Sequence, residues 1–100
     1  KKKRIDMKIL IVEDEPALRE MIQRSLEKER YITEVAPDYD TAIEKVEVYD
    51  YDCILLDIML PGGNGLDLLK HLSFHHLIVV YHCHSKYNKF HLVHVNHQTI

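Results

Sequence analysis

Three carboxylates in this sequence are placed where they can do chemistry. Glu13 and Asp14 close the apolar run Lys8-Ile9-Leu10-Ile11-Val12, and Asp57 closes a second run, Cys53-Ile54-Leu55-Leu56. Acids carried to the carboxyl ends of neighbouring parallel strands meet in the crevice where open α/β sheets bind ligands, and there they can share one hard cation. The expected chemistry is a Mg²⁺ site with a reactive aspartate. The plain alternative is that each acid punctuates a strand or caps a helix. That reading suits Asp14 alone but not all three acids in their surroundings.

The elements that would position these acids follow from the periodicity. Lys8 to Val12 is too short and too continuously apolar for a helix, and suits a strand buried on both faces. Asp14-Glu15-Pro16 is a helix start, and Ala17, Leu18, Met21, Ile22 and Leu26 recur at helical spacing down to Arg30. Tyr31 to Val35 alternates as a strand, Ala36-Pro37-Asp38 breaks it, and Ala42, Ile43 and Val46 mark a second helix. Tyr49 to Asp52 connects to the strand Cys53 to Leu56. Pro61-Gly62-Gly63-Asn64-Gly65 is a loop, and Leu66, Leu68, Leu69 and Leu72 give a third helix. Three strand and helix alternations with short links predict parallel βαβ units with right-handed crossovers.

One hundred residues allow one domain with a modest core. No stretch reaches the ~20 apolar residues of a membrane span, and no apolar signal core follows Lys1-Lys2-Lys3-Arg4, so the chain reads as cytoplasmic. Met7 resembles a natural start, which makes residues 1–6 an upstream extension. Residues 7–72 hold 15 acids against 7 Lys and Arg, so the main body should repel nucleic acid phosphates. Cys53 and Cys83 make no disulfide framework, and Cys53 is expected in the core.

The character changes after Leu72. All 16 acids, all 3 glycines and all 3 prolines precede Ser73, whereas 7 of the 8 histidines follow it. Leu77 to Tyr81 can form a fourth strand, and no helix is read beyond it. The break at Ser73 points to a tail that is truncated, rearranged or read in a shifted frame. The histidines also permit a Zn²⁺ reading, with His82 and His84 on one strand face and His91, His94 and His97 on a helix face, although no established zinc spacing is present.

Met7-Lys-Ile-Leu-Ile-Val-Glu-Asp-Glu15 and Leu55-Leu-Asp-Ile-Met-Leu-Pro-Gly62, followed by Gly65-Leu66 and a leucine-rich helix, together resemble the receiver domain of two-component response regulators. The resemblance covers residues 7–72 as the receiver core, with 73–100 a histidine-rich continuation. It implies a flavodoxin-like, doubly wound parallel α/β sheet of strand order 2-1-3-4-5, incomplete here after the third or fourth strand. It further implies that Asp57 is the phosphoacceptor, that Asp14 and Asp57 bind Mg²⁺ directly, that Glu13 acts largely through metal-bound water, and that Met59 offers its backbone carbonyl. Intact receivers also use a Ser or Thr after the fourth strand and a Lys after the fifth; Ser85 and Lys89 match these positions only loosely. The Leu-Asp-Ile-Met-Leu-Pro-Gly wording is most similar to regulators with a winged-helix DNA-binding domain, which this sequence does not contain.

The expected function is a phosphorylation-controlled switch, not a conventional enzyme, that takes a phosphoryl group from a sensor histidine kinase docked on the first helix. Leu18, Met21 and Ile22 cannot all be surface, so Arg19, Gln23 and their neighbours are the expected docking residues. A homodimer is a further expectation, because a shortened sheet leaves apolar surface to cover. Two other classes compete. An aspartyl-nucleophile phosphatase would want a general acid at Met59, and a receiver-derived interaction module would no longer switch.

Overall fold

The computed structural model describes residues 7–57, 77–84 and 89–97. Met59, the Pro61–Gly65 loop, the expected third helix and Ser85 lie outside them. Five strands and two helices are described: β1 (Lys8–Val12), α1 (Pro16–Lys28), β2 (Ile32–Ala36), α2 (Tyr39–Val48), β3 (Cys53–Asp57), β4 (Leu77–His84) and β5 (Lys89–His97). They form one sheet of order β2-β1-β3-β4-β5. The first four strands are parallel, and β5 runs antiparallel to β4.

The continuous apolar run of β1 has a direct cause. Its side chains alternate between two helical layers, so neither face can be polar. Leu10 and Val12 join Tyr39, Ala42, Ile54, Leu56 and Ile78 on the α2 side. Ile9 and Ile11 join Ile22 and Cys53 on the α1 side. Leu10, Ile11, Val12, Ile54 and Leu56 are fully buried, each stabilising the fold by roughly 1.5–3 kcal/mol before entropy is counted. Cys53 is a core thiol, as expected, and burial, followed by the charge of Asp52, pushes it up to about 11.

Helix α1 begins where the Asp14-Glu15-Pro16 signal puts it. Pro16 occupies the first turn, and the carboxylate of Glu15 accepts from the amide of Leu18 at 2.6 Å. The helix stops at Lys28, two residues short of expectation, because Arg30 turns left-handed with φ 71°. Its amide bonds to the carbonyl of Glu27 and that of Tyr31 to Leu26, the paired closure of a helix C-terminus that glycine usually provides. Asp38 caps α2 by accepting from the amide of Thr41 at 2.7 Å, and this bond holds its carboxyl below the ordinary carboxylate range.

The expected fourth strand is present and extends to His84. The parallel part of the sheet ends there, as read. One expectation fails: Lys89–His97 is a strand, so His91, His94 and His97 do not share a helix face. Pairing of the β5 backbone with β4, from Leu77 opposite His97 to His84 opposite Lys89, satisfies the edge that a shortened parallel sheet would otherwise present.

Candidate functional site

β1 and β3 are adjacent and in register, with Val12 opposite Leu56, so the residues that follow each come out at the same carboxyl edge. One ligand oxygen each from Glu13, Asp14 and Asp57 lies within 4.8 Å of the others. All three acids expected to meet do so. Glu13 and Asp57 are buried, at 1% and 6% exposure, while Asp14 is open to solvent. Met59, the fourth expected contributor, lies outside the described residues.

Local structure explains this arrangement. The amide of Glu13 donates to the carbonyl of Ala36 at 3.0 Å, the last rung between the β1 side and β2 before the chain turns into α1. One residue past the turn, the amide of Glu15 donates to the Glu13 carboxylate at 3.1 Å. Asp57 closes β3, so its direction is set by the ladder. Arg19 reaches back from α1 and donates to the carbonyl oxygens of Glu13 at 2.9 Å and Asp14 at 3.4 Å. Tyr39, buried in the first turn of α2, donates through its hydroxyl to the carbonyl of Asp57 at 3.3 Å.

The donor set fits one small hard cation. Oxygens on opposite sides of an octahedral Mg²⁺ stand about 4.2 Å apart, given metal-oxygen distances of about 2.0–2.1 Å, and the ion commonly keeps several waters. Three carboxylate oxygens within 4.8 Å are therefore close enough to share it, with one reaching it through water. Bringing three anionic groups together costs free energy that such a cation offsets.

Two residues in this site had been read differently or not read at all. Arg19, expected to meet a partner, bonds to the carbonyls of Glu13 and Asp14, and Gln23 bridges α1 to Thr33 of β2 at 3.0 Å. The outward face of α1 consists instead of Ala17, Glu20, Met21, Arg24, Ser25 and Lys28, which line a shallow surface groove. Met21 is 48% exposed, whereas Ile22 is buried. Tyr39 was not anticipated. Its signal was its place three and four residues before Ala42 and Ile43, on the same apolar stripe.

Comparison with known proteins agrees with this geometry. The model of the response regulator receiver domain matches residues 9–95, reaching into β5. The phosphate regulon transcriptional regulatory protein PhoB of Escherichia coli is 46% identical over 66 residues, which cover 66% of this chain and 29% of PhoB. Transcriptional regulatory protein ResD of Bacillus subtilis is 39% identical over 67 residues, covering 67% of this chain and 28% of ResD. This chain thus spans less than a third of the curated relatives it matches. Among solved structures, the response regulator TrrA of Thermotoga maritima in complex with Mg²⁺-BeF superposes with a TM-score of 0.73 at 31% identity, covering 81% of this chain and 73% of TrrA. The receiver domain of sensor histidine kinase PA1611 from Pseudomonas aeruginosa, with magnesium in its active site cleft, gives 0.63 at 30% identity, covering 67% and 55%. From the acid-ended parallel strands, the 2-1-3-4 core of the sheet and the family match over residues 9–95, the chain belongs to the response regulator receiver domain family.

Proposed function

We propose that this chain accepts a phosphoryl group on Asp57 from the phosphohistidine of a sensor kinase and uses it as a switch. The observation that carries the reading is the convergence of the Glu13, Asp14 and Asp57 oxygens within 4.8 Å at the carboxyl edge of the sheet. A carboxylate oxygen of Asp57 attacks phosphorus in line. The new O–P bond forms as the P–N bond to the donor histidine breaks, and the nitrogen leaves with the electron pair. Asp14 and Asp57 would hold the ion directly, Glu13 would act through metal-bound water, and Met59 would offer its backbone carbonyl. When bound, Mg²⁺ offsets the charge between three carboxylates and an anionic phosphoryl group and aligns the displacement. The chain is a signalling domain whose only catalysis is on its own phosphorylation state.

The exposed groove of α1, with Met21 between the paired charges Glu20 and Arg24, is the proposed kinase-docking face. Residues 7–72 form the receiver core, 73–100 its continuation and 1–6 an extension. No helix among the described residues is long and apolar enough to cross a membrane, and a cytoplasmic setting follows from the kinase partner. PhoB and ResD are transcription regulators by name, which supports transcription as the output of a longer protein. Leu55 and Val79 are only half-buried on the α1 side of the sheet, which favours self-association there, to be checked by sedimentation.

A second reading, an interaction module that no longer switches, is favoured by one observation: β5 runs antiparallel where a doubly wound sheet would continue parallel. Intact mass after incubation with acetyl phosphate and Mg²⁺ separates the two. A switch gains one phosphoryl group, and Asp57→Asn abolishes the gain.

A further inference from the structure

The main chain that carries the three acids is held from outside. Arg19, in the second turn of α1, bonds through one guanidinium nitrogen to the carbonyls of both Glu13 and Asp14, at 2.9 and 3.4 Å. Tyr39, in the first turn of α2, bonds to the carbonyl of Asp57 at 3.3 Å. Each acid residue therefore has its carbonyl tied to a side chain of one of the two described helices.

A carbonyl held in place fixes its peptide plane, and with it the direction in which the adjoining Cα projects its side chain. Asp14 needs such help most, since it is exposed and lies past the last ladder bond, that of Glu13 to Ala36. Asp57 is the last residue of β3, so Tyr39 holds the first peptide unit after the strand. Tyr39 is itself 5% exposed within the α2-side core, which makes it a fixed anchor. Sites that share an ion or a transferring group lose rate when a ligand drifts by a fraction of an ångström.

We propose that Arg19 and Tyr39 are positioning residues: through the carbonyls of Glu13, Asp14 and Asp57 they hold the three carboxylates converged for Mg²⁺ and phosphoryl transfer. The proposal rests on the phosphoacceptor reading above. For Arg19 the sign of one measurement separates positioning from charge. A guanidinium beside the acids repels a dication, so loss of its charge alone tightens Mg²⁺ binding in Arg19→Gln. Loss of positioning weakens it. Tyr39→Phe keeps the ring and removes one donor, whereas Tyr39→Leu removes the packing as well.

The test uses the full chain, with Mg²⁺ titrations and the rate of mass gain from acetyl phosphate at saturating Mg²⁺. Arg19→Gln is expected to bind Mg²⁺ more weakly than wild type, and Tyr39→Phe to be phosphorylated about fivefold more slowly, the equivalent of one ordinary hydrogen bond. Tyr39→Leu shows the same slowing with a Tm well below that of Tyr39→Phe, which loses one hydrogen bond but keeps the ring packing. Placing 4-aminophenylalanine at position 39 restores a donor and recovers the rate. Mg²⁺ binding in Arg19→Gln as tight as wild type or tighter removes Arg19, and a wild-type rate in Tyr39→Phe removes Tyr39. A wild type that gains no phosphoryl group overturns the phosphoacceptor reading, and the Arg19→Gln titration still decides the positioning role on its own.

Discussion

The two ends of the sheet handle acidic residues in opposite ways. Towards the amino end, Glu34, whose backbone is at the middle of β2, is matched by the chain's own groups: Lys8 at 3.1 Å, Lys45 at 3.7 Å and the hydroxyl of Tyr51 at 2.6 Å. The ammonium of Lys8 also lies 5.3 Å from the ring centres of both Tyr49 and Tyr51, and the Lys8 and Asp52 segments exchange two 2.8 Å bonds. At the carboxyl end, three carboxylates converge within 4.8 Å, and Arg19 is directed at carbonyl oxygens. One end is a clasp that is complete as folded. The other gains from an added dication, as a site for phosphoryl chemistry should. The difference predicts that mutations at the carboxyl end change chemistry, while those at the amino end change stability alone.

The largest expected effect is that of Asp57→Asn, which removes the nucleophile and should eliminate the mass gain from acetyl phosphate. Retention of one phosphoryl group under the same conditions would move the acceptor elsewhere and break the comparison at its centre. Next is Asp14→Asn, which replaces a charged hard ligand by a neutral one at the exposed side of the site. Mg²⁺ affinity should fall at least about tenfold, in keeping with loss of one direct carboxylate. An unchanged titration would exclude Asp14 from direct contact with the ion.

How much of this contrast could be read in the sequence depends on the range of the interaction. β1 and β3 were legible because a short, unbroken apolar run fits few environments, and the acids that end them were legible for the same reason. Pro16 announced α1 through a local start signal that needs no partner far away, whereas Asp38, legible only as part of a strand break, proves also to cap α2. β5 was not legible. Its histidines at 91, 94 and 97 repeat every three residues and imitate a helical period, while pairing with β4 is decided by contacts that no local pattern records. The bonds of Arg19 to the carbonyls of Glu13 and Asp14 were hidden for a different reason: a long cation half-buried on a helix looks the same in sequence whether it meets a partner or reaches back. The amino-end clasp joins Lys8, Glu34, Lys45 and Tyr51 from four parts of the chain, so nothing local revealed it.

The clasp can be tested through pH. The Tyr51 hydroxyl above all, followed after an opposing desolvation effect by Lys8 and Lys45, holds the Glu34 carboxyl below its ordinary value of 4.5. A lowered folded value means that Glu34 contributes stability above that pH and loses it as pH falls through the folded value. Tyr51 shifts the other way: burial first, then Glu34, raises it above 10.0, so its contribution is present below that pH and is lost as pH rises through the folded value. Tyr51→Phe should cost about 1 kcal/mol at neutral pH, the worth of one hydrogen bond, and should flatten both limbs of a Tm-against-pH profile. Phosphorylation at Asp57 should be unaffected. A slowed mass gain in this variant would mean that the two ends are coupled.

The smallest expected effect comes from Arg30, also at the amino end, where α1 closes with φ 71°. A left-handed conformation costs a residue with a Cβ roughly 1–2 kcal/mol, and glycine adopts it freely but loses more entropy on folding. The net expectation for Arg30→Gly is a gain of about 0.5–1 kcal/mol, read as a small rise in the denaturant midpoint. The closure bonds from Arg30 to Glu27 and Tyr31 to Leu26 use only backbone atoms and should survive the change. Mg²⁺ affinity and the acetyl phosphate rate should match wild type, since Arg30 lies at the end of the sheet away from the three acids. A gain in stability with unaltered chemistry would sharpen the contrast from the amino side. Destabilisation would show instead that the Arg30 side chain takes part in holding this end of the sheet.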